Sequence, residues 1–541
     1  MEVLTSSGQP RSIPRRQVVI TMAGVMLALF LSSLDQTIVG TAMPRIISDL
    51  GGFSHYTWLT TAYIITSAVA IPITGKLTDM YGRKYFYIGG LVIFTIASFL
   101  CGFSATMIQI IVCRGIQGIG AGIMMANAFT VIGDFFPPAE RGKYQGLTSG
   151  VFGISSIIGP TLGGIITDTL SWHWIFFINV PLGIIIIILF IVYFPYVRPD
   201  KLKHQIDYPG VLVLVLCVVP LMLAISWAGV VYPWISQQII GMLAFSVVMV
   251  GTFLFIESRS KEPIIPLSLF RNQIVRMALL VIFLTSFGMF GSIIFVPLFF
   301  QGVLGATATT SGSFLTPMML GVVFGSLTSG QILSRTGGHY RLQGAVGISI
   351  LALGLALLST MTAGVSYVIA VAYIVITGIG LGITIPVFTI TVQNAVPQNI
   401  LGVATSATAF FRSIGGAVGL AIMGSVMNNR FTSELISGFP PPIKTIMPRQ
   451  QLEALAHNPQ ALISPEAQIQ LKNLLEQLGL QDSAIFEQAL QALRQALSSA
   501  LSEVFFISFG AVLVALVIYV FIREIPLRKH NVLPRKAGPS H

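Results

Sequence analysis

Apolar segments of about twenty residues recur along almost the whole chain, separated by short polar turns. As an α-helix, a segment of this length crosses the ~30 Å hydrocarbon core of a bilayer. Hydrophobic residues make up 54% of the 541 residues and charged residues only 9%, whereas soluble domains carry roughly 25% charged residues. Because backbone groups in lipid must bond within their own segment, the sequence predicts an all-α membrane protein.

Fourteen spans are predicted, with both termini on one side. Their limits are near 18–42, 55–75, 86–104, 106–132, 145–168, 174–195, 208–229, 236–256, 274–300, 311–332, 342–361, 364–388, 401–426 and 502–522. On the terminal side the loops hold many Lys and Arg residues, whereas the short loops opposite hold Arg45 alone. Positive loops stay in the cytoplasm, so both termini are predicted to be cytoplasmic.

The chain contains an internal repeat. GIGAG at 118–122 corresponds to GIGLG at 378–382, an offset of 260 residues. GKLTDMYGRKY at 75–85 corresponds to GQILSRTGGHY at 330–340, an offset of 255. Parallel repeats about an axis normal to the membrane are a known transporter architecture, so two homologous six-helix bundles are expected.

The two remaining spans lie between the repeats and give a 6+2+6 plan. The predicted regions are a cytoplasmic tail 1–17, an N-terminal bundle 18–200, a linker 201–271 with two extra helices, a C-terminal bundle 272–523 that includes an extracytoplasmic helical insert 427–500, and a cytoplasmic tail 524–541.

Four motifs resemble those of the major facilitator superfamily. GKLTDMYGRK at 75–84 resembles its loop 2–3 signature, and RGIQGIGAG at 114–122 is similar to its helix 4 motif. GVFGISSIIGPTLGG at 150–164 resembles the helix 5 motif of proton-driven exporters, and LDQTIVGTAMP at 34–44 resembles the helix 1 motif of the fourteen-spanner drug:proton antiporters. The resemblance implies the major facilitator fold and proton-coupled export.

Asp35 is an ionisable residue deep in the first span, where a charge costs several kcal/mol unless it meets a partner or a wet cavity. Counted at 1.5 Å per residue, Asp35 lies ~14 Å below the outer end of its helix, and Arg114 lies ~12 Å down the fourth. The pair could be a static tie between two helices. We favour Asp35 as the proton carrier, with Arg114 opposing the effect of burial on its protonation.

Loop 75–84 is predicted to form a cytoplasmic gate. Gly75 and Gly82 permit a tight turn and close helix approach. Asp79 can complement a helix N-terminus, and Arg83 is expected to pair with Asp134. The alternative is that Arg83 only sets topology. The equivalent loop of the second repeat lacks both charges, so the gate is expected to be asymmetric.

The fifth span carries small residues at spacings of three and four, which place most of them on one helix face. The set comprises Gly153, Gly159, Pro160, Gly163 and Gly164. Tight helix packing is one interpretation. The family resemblance implies in addition that this face meets the other bundle near the outer side and resists leakage.

Arg412 is a second charge near the middle of the membrane. It could bind an anionic group, adjust the protonation of Asp35, or tether helices through backbone carbonyls. Met and aromatic residues suit an adaptable binding surface. The predicted substrate cavity therefore comprises Met124, Met125, Phe290, Met318, Phe388, Phe411 and Arg412. The alternative for most of these side chains is that they pack between helices or face lipid.

The segment 427–500 has soluble character. Leucines at spacings of three and four predict amphipathic helices near 452–455 and 471–478. The last one is expected to run from about Ser483 through Leu501 into the final span. It could lie on the outer leaflet, cover the exit, dock a periplasmic partner, or form a packed loop.

No enzymatic function is predicted. The chain has no GxxxxGK[ST] phosphate loop and no metal-ligand spacing, so no cofactor is expected and the proton gradient supplies the energy. Dispersed basic residues argue against nucleic-acid binding. Protons, the lipid bilayer and a small lipophilic or amphiphilic substrate are the expected partners.

The predicted function is a proton-coupled antiporter that exports lipophilic drugs or amphiphiles by alternating access. Its predicted location is a bacterial inner or plasma membrane, which it crosses many times. One alternative is a dedicated exporter of a lipid, siderophore or metabolite. Another is a membrane sensor or scaffold that does not transport.

Overall fold

The computed structural model describes residues 2–4, 10–12, 14–50, 58–196, 205–229, 231–305, 308–336, 338–442 and 483–527. Two short N-terminal strands, β1 (Glu2–Leu4) and β2 (Pro10–Ser12), pair antiparallel. The rest of the described chain is helical apart from its connecting turns. The helices are α1 (Arg15–Leu50), α2 (Trp58–Tyr81), α3 (Arg83–Gly102), α4 (Met107–Phe135), α5 (Pro138–Thr169), α6 (Trp174–Phe177), α7 (Asn179–Tyr193), α8 (Tyr208–Trp227), α9 (Gln237–Arg259), α10 (Ser268–Arg271), α11 (Gln273–Gly302), α12 (Ala308–Thr336), α13 (Tyr340–Ser359), α14 (Tyr367–Asn394), a 3-10 turn (Gln398–Ile400), α15 (Leu401–Gly438) and α16 (Ser483–Val520).

Fourteen helical segments among these residues are long and apolar enough to cross a bilayer, with α6 and α7 forming one span. The prediction of an all-α membrane protein with fourteen spans is confirmed. Polar caps fix several helix starts, because a side-chain oxygen can accept a hydrogen bond from an otherwise unpaired backbone N–H. Thr106 accepts from the N–H of Gln109 at 3.3 Å, and Asn272 accepts from the N–H of Ile274 at 3.0 Å.

Each bundle has the same pattern of helix neighbours. In the N-terminal bundle α1 packs on α5, α2 on α4, and α3 on both α4 and α7. In the C-terminal bundle the corresponding pairs are α11 with α15, α12 with α14, and α13 with α14 and α16. The structure therefore repeats its packing as the sequence repeats its motifs.

The paired glycine motifs explain why these residues recur. A Cβ on Gly118 would collide with the backbone of Tyr63 on α2, and one on Gly378 would collide with the backbone of Met318 on α12. Gly120 and Gly380 approach α3 and α13 in the same way. Only glycine allows these backbones to approach so closely.

We call the end of the molecule that holds the α2–α3 and α4–α5 turns the basic end, because Lys76, Arg83, Lys84, Arg141 and Lys143 lie there. The linker helices are tied to this end. Lys76 Nζ lies 3.7 Å from Glu262 Oε2. Glu257, only 3% exposed, accepts from the N–H of Ile264 at 3.1 Å.

At the opposite end two helices of the C-terminal bundle extend together. Helix α15 continues unbroken to Gly438, and α16 begins at Ser483. Phe431 and Leu435 of α15 pack in one buried cluster with Leu493 of α16. Residues 427–438 and 483–500 are therefore extensions of two spanning helices. The helices predicted near 452–455 and 471–478 lie outside the described residues.

Candidate proton-coupling site and gate

Asp35 is fully buried between α1, α4 and α7 and accepts three hydrogen bonds. Arg114 Nη1 donates to Asp35 Oδ2 at 2.6 Å. Gln117 Nε2 and Asn179 Nδ2 donate to Asp35 Oδ1 at 2.8 and 2.7 Å. The carboxylate thus meets protein donors rather than a wet cavity in this conformation.

The donors are themselves held in place. Arg114 Nη1 also donates to Gln117 Oε1 at 2.8 Å, and Arg114 Cζ lies 4.2 Å from the centroid of the Tyr63 ring, within the range of a cation–π contact. Asn179 Nδ2 donates to Ser98 Oγ at 3.0 Å. A second shell of this kind fixes the orientation of the groups that bond the carboxylate.

The net charge of this cluster depends on one proton. Arginine stays protonated in proteins, so the Asp35–Arg114 pair is neutral while Asp35 is ionised and carries one positive charge when Asp35 is protonated. Removing one partner of a buried ion pair leaves a strongly disfavoured lone charge. Separating Asp35 from Arg114 while both are charged is therefore costly.

The gate residues also come together. Arg83 Nη2 lies 2.5 Å from Asp79 Oδ1, and Arg83 Nε donates to Asp134 Oδ2 at 2.8 Å. Gly82 joins α2 to α3 with a φ of 93°, a conformation that favours glycine. The two carboxylates share one guanidinium at the basic end.

Asp79 links this cluster to the other bundle. Its oxygens accept from the backbone N–H groups of Gly402 and Val403, at 3.1 and 2.9 Å, at the start of α15. A helix N-terminus favours a negative charge through its dipole and its free N–H groups. Gly75 faces Gly402 and Ser406, where a Cβ would collide.

A second contact between helices of the two bundles lies at the same end. Helices α5 and α12 meet at Gly142 and Gly330, where a Cβ on either glycine would press against the backbone of the other helix. Ser326 Oγ donates to the carbonyl of Gly146 at 3.1 Å, and Gln145 Nε2 donates to Gln393 Oε1 at 3.0 Å. The two bundles are therefore joined at the basic end.

The outer part of the α5 glycine face does not meet the other bundle. Among the glycines of the predicted set, Gly153 faces Val323 of α12, whereas Gly159 and Gly163 pack on Thr37 and Thr41 of α1 in the same bundle. A Cβ on Gly164 would meet no atom within 4 Å. The expectation that this face meets the other bundle near the outer side is wrong in this conformation, because α1 covers it.

A small cavity lies between α11, α14 and α15. It is lined by Thr285, Ser286, Thr384, Phe388, Arg412 and apolar residues of α11 and α14. Two predicted cavity residues, Phe388 and Arg412, thus lie on it.

The other predicted cavity residues do not line this small cavity. Met124 and Met318 are fully buried in the separate cores of the two bundles. Phe290 packs against Gly416. Met125 and Phe411 pack beside the cluster that joins α2, α8 and α15. Met and Phe spacing could not separate lining from packing, because both use apolar helix faces.

Gln117 and Asn179, which bond the Asp35 carboxylate, are not among the site residues predicted from the sequence. Gln117 follows Arg114 by three residues and therefore faces the same side of α4, which is a usable signal. Asn179 is an amide at the start of an apolar span, and polar groups inside membranes tend to be functional. Its distance from Asp35 in the sequence gives no hint of their contact.

Two packed six-helix repeats joined at one end are an architecture of membrane transporters, and here the N-terminal repeat encloses a buried ion pair. The family model of the Major Facilitator Superfamily matches residues 25–420. The chain belongs to this superfamily and is a multi-pass membrane transporter, not an enzyme.

Relatives match over most of the chain. It is 40% identical over 547 residues to the Multidrug transporter protein MdtP of Bacillus subtilis (strain 168), covering 97% of this chain and 98% of that protein. It is also 40% identical over 416 residues to Multidrug resistance protein 3 of the same organism, covering 77% and 81% of the two chains. Both relatives are bacterial, in agreement with the expectation of a bacterial plasma membrane.

A solved structure has the same fold. The human organic anion transporter MFSD10 (TETRAN) superposes with a TM-score of 0.59 at 13% sequence identity, covering 93% of this chain and all of that one. The likeness concerns the fold alone.

Proposed function

We propose that this transporter exports lipophilic drugs or amphiphiles in exchange for protons, by alternating access. The names of the two Bacillus relatives, a multidrug transporter and a multidrug resistance protein, support this substrate class. The buried Asp35–Arg114 pair is the observation that carries the proposal for proton coupling.

The basic end is assigned to the cytoplasm. Lys76, Lys84, Arg141 and Lys143 lie there, and loops rich in Lys and Arg remain on the cytoplasmic side of a bacterial membrane. Both termini then face the cytoplasm. The conformation described above, closed at the basic end, is the one in which the cytoplasmic path is shut.

Asp35 is the proposed proton carrier. Its carboxylate is 0% exposed, so a proton can reach it only when α1, α4 and α7 move apart. Protonation removes the charge that holds Arg114 and favours such a rearrangement. A group that changes charge only in certain conformations couples proton movement to the transport cycle.

The Asp79–Arg83–Asp134 cluster acts as the proposed latch. It binds the α2–α3 turn to the start of α15 in the other bundle. Breaking it allows the bundles to rock apart at the cytoplasmic end, as secondary transporters do around a fixed site. Export then proceeds by loading from the cytoplasm and closing this latch.

Transport by proteoliposomes under an imposed pH gradient tests the proposal. Ethidium, a lipophilic monocation, is the probe, and its flux is followed by fluorescence. We expect gradient-driven flux with the wild type and background flux with Asp35→Asn. Asp49→Asn is the matched control, because Asp49 lies on the same helix, is exposed and bonds Trp172 Nε1.

The control is expected to transport like the wild type. Gradient-driven flux by Asp35→Asn at the wild-type rate would exclude Asp35 as the carrier. Absence of gradient-driven flux in the wild type, tested with several lipophilic dyes, would overturn proton-coupled export.

A further inference from the structure

Arg412 is a cation without an ionic partner in the part of the chain that the structure describes. It lies on the cavity between α11, α14 and α15, eleven residues after the start of α15, or ~16 Å along the helix. No carboxylate occurs in α11, α12, α13 or α14. The nearest acid along α15 is Glu434, which pairs with Arg430.

The other polar groups of the cavity already donate hydrogen bonds within their own helices. Thr285 donates to the carbonyl of Val281 at 2.8 Å, Ser286 to that of Ile282 at 2.7 Å, and Thr384 to that of Leu381 at 2.9 Å. Each hydroxyl proton is thus committed to its own helix. The guanidinium of Arg412 supplies the uncommitted donors of this cavity.

The shape of this donor and its surroundings indicate the ligand. Arginine presents a planar fork that matches a carboxylate with two parallel hydrogen bonds. The rest of the lining includes Ile282, Met289, Leu381 and Phe388, so the surface around the guanidinium is apolar. A half-buried cation in apolar surroundings favours a negatively charged group beside it.

We propose that Arg412 and the cavity between α11, α14 and α15 form a subsite for the carboxylate head group of an amphiphilic substrate. This inference rests on the proposed export function and specifies one class of its substrates. It also assigns Arg412 to binding rather than to a tether, because Arg412 donates no hydrogen bond to a backbone carbonyl within the described ranges.

Equilibrium binding of a dansyl-labelled undecanoate to the purified full chain in detergent tests the subsite, with the uncharged methyl ester as the matched probe. We expect the wild type to bind the carboxylate more tightly than the ester. Arg412→Gln is expected to weaken carboxylate binding at least about tenfold, the cost of losing a hydrogen bond to a charged group, and to leave ester binding nearly unchanged. Arg412→Lys should retain part of the preference.

Arg430→Gln is the matched control, because it removes an arginine from the same helix far from the cavity, and it is expected to bind both probes like the wild type. Equal affinity of the wild type for the two probes would overturn the subsite without recourse to any variant. Equal loss of both probes in Arg412→Gln would also overturn it, since that result indicates a structural role.

This binding assay is independent of the proton gradient. Its failure would overturn the subsite alone. Failure of wild-type ethidium transport would instead overturn the export function.

Discussion

The N-terminal bundle contains two clusters of paired charges, whereas Arg412 of the C-terminal bundle has no carboxylate partner among the described residues. Asp35 bonds Arg114, and Arg83 bonds two carboxylates. Yet the two bundles share their helix neighbours and their glycine contacts. Packing is therefore common to both repeats, whereas the proposed proton carrier and latch belong to the N-terminal repeat and the proposed head-group subsite belongs to the C-terminal repeat.

The two crossings at the basic end show the same division. Gly75 faces Gly402 where α2 meets α15, and Gly330 faces Gly142 where α12 meets α5. The repeat offsets relate these two crossings to each other. Only the α2–α15 crossing carries the Asp79–Arg83 pair. The α12–α5 crossing lacks these charges and still keeps its close glycine contact, so the close contact does not depend on the charges.

The largest effect is expected from Arg114→Gln, which leaves Asp35 charged and buried without its cation. Breaking a fully buried pair costs about 3–5 kcal/mol, and both side chains are at most 1% exposed. Thermal unfolding in detergent, followed by tryptophan fluorescence, measures the loss. The double variant Arg114→Gln with Asp35→Asn removes both charges and should recover most of the stability. If Arg114→Gln alone were as stable as the wild type, the buried ion pair would not contribute to stability.

A smaller effect is expected from Arg83→Gln, because the cluster is partly solvated, with side chains 13%, 6% and 24% exposed for Arg83, Asp79 and Asp134. We expect the equilibrium to shift toward the state open at the basic end by about 2 kcal/mol, roughly thirtyfold. Spin labels at the exposed residues Tyr85 and Gln331 report the separation of the bundles.

Lys84→Gln is the control for this measurement. Lys84 Nζ donates to the carbonyl of Ile191 at 2.9 Å, so its loss leaves the carboxylates paired. The latch would be disproved if Arg83→Gln and Lys84→Gln gave the same distance distribution as the wild type.

The smallest effect is expected at the uncharged crossing. Gly330→Ala places a Cβ against the backbone of Gly142. Overpacking costs about 1–3 kcal/mol, and a small shift of the two helices relieves part of that cost while the charged crossing stays intact. The same spin labels should show partial opening of the basic end. Gly164→Ala is the matched control, because its Cβ meets no atom within 4 Å. An unchanged distance in Gly330→Ala would mean that this contact does not hold the end closed.

Much of the architecture could be predicted from the sequence, because hydrophobic length fixes the number of spans and the glycine motifs fix the repeat. The pairing of Asp35 with Arg114 followed from their equal depth, and that of Arg83 with Asp134 from their common end. Depth along a helix can be counted from the sequence.

The direction in which a helix face points could not be predicted in the same way. Gly159 and Gly163 contact α1 rather than the other bundle, and Met124 is buried in the core of its own bundle. Asn179 reaches Asp35 only because α7 packs beside α1. These contacts depend on the rotation of each helix about its axis, which an apolar pattern on all sides leaves undetermined.

Asp35 is the proposed carrier that exchanges a proton in each transport cycle. Substrate-induced proton release from purified protein, recorded with a pH indicator in weakly buffered detergent solution on addition of ethidium, tests it most directly. We expect proton release by the wild type and by Asp49→Asn, and none by Asp35→Asn that still binds ethidium. Equal release by Asp35→Asn and the wild type would contradict it.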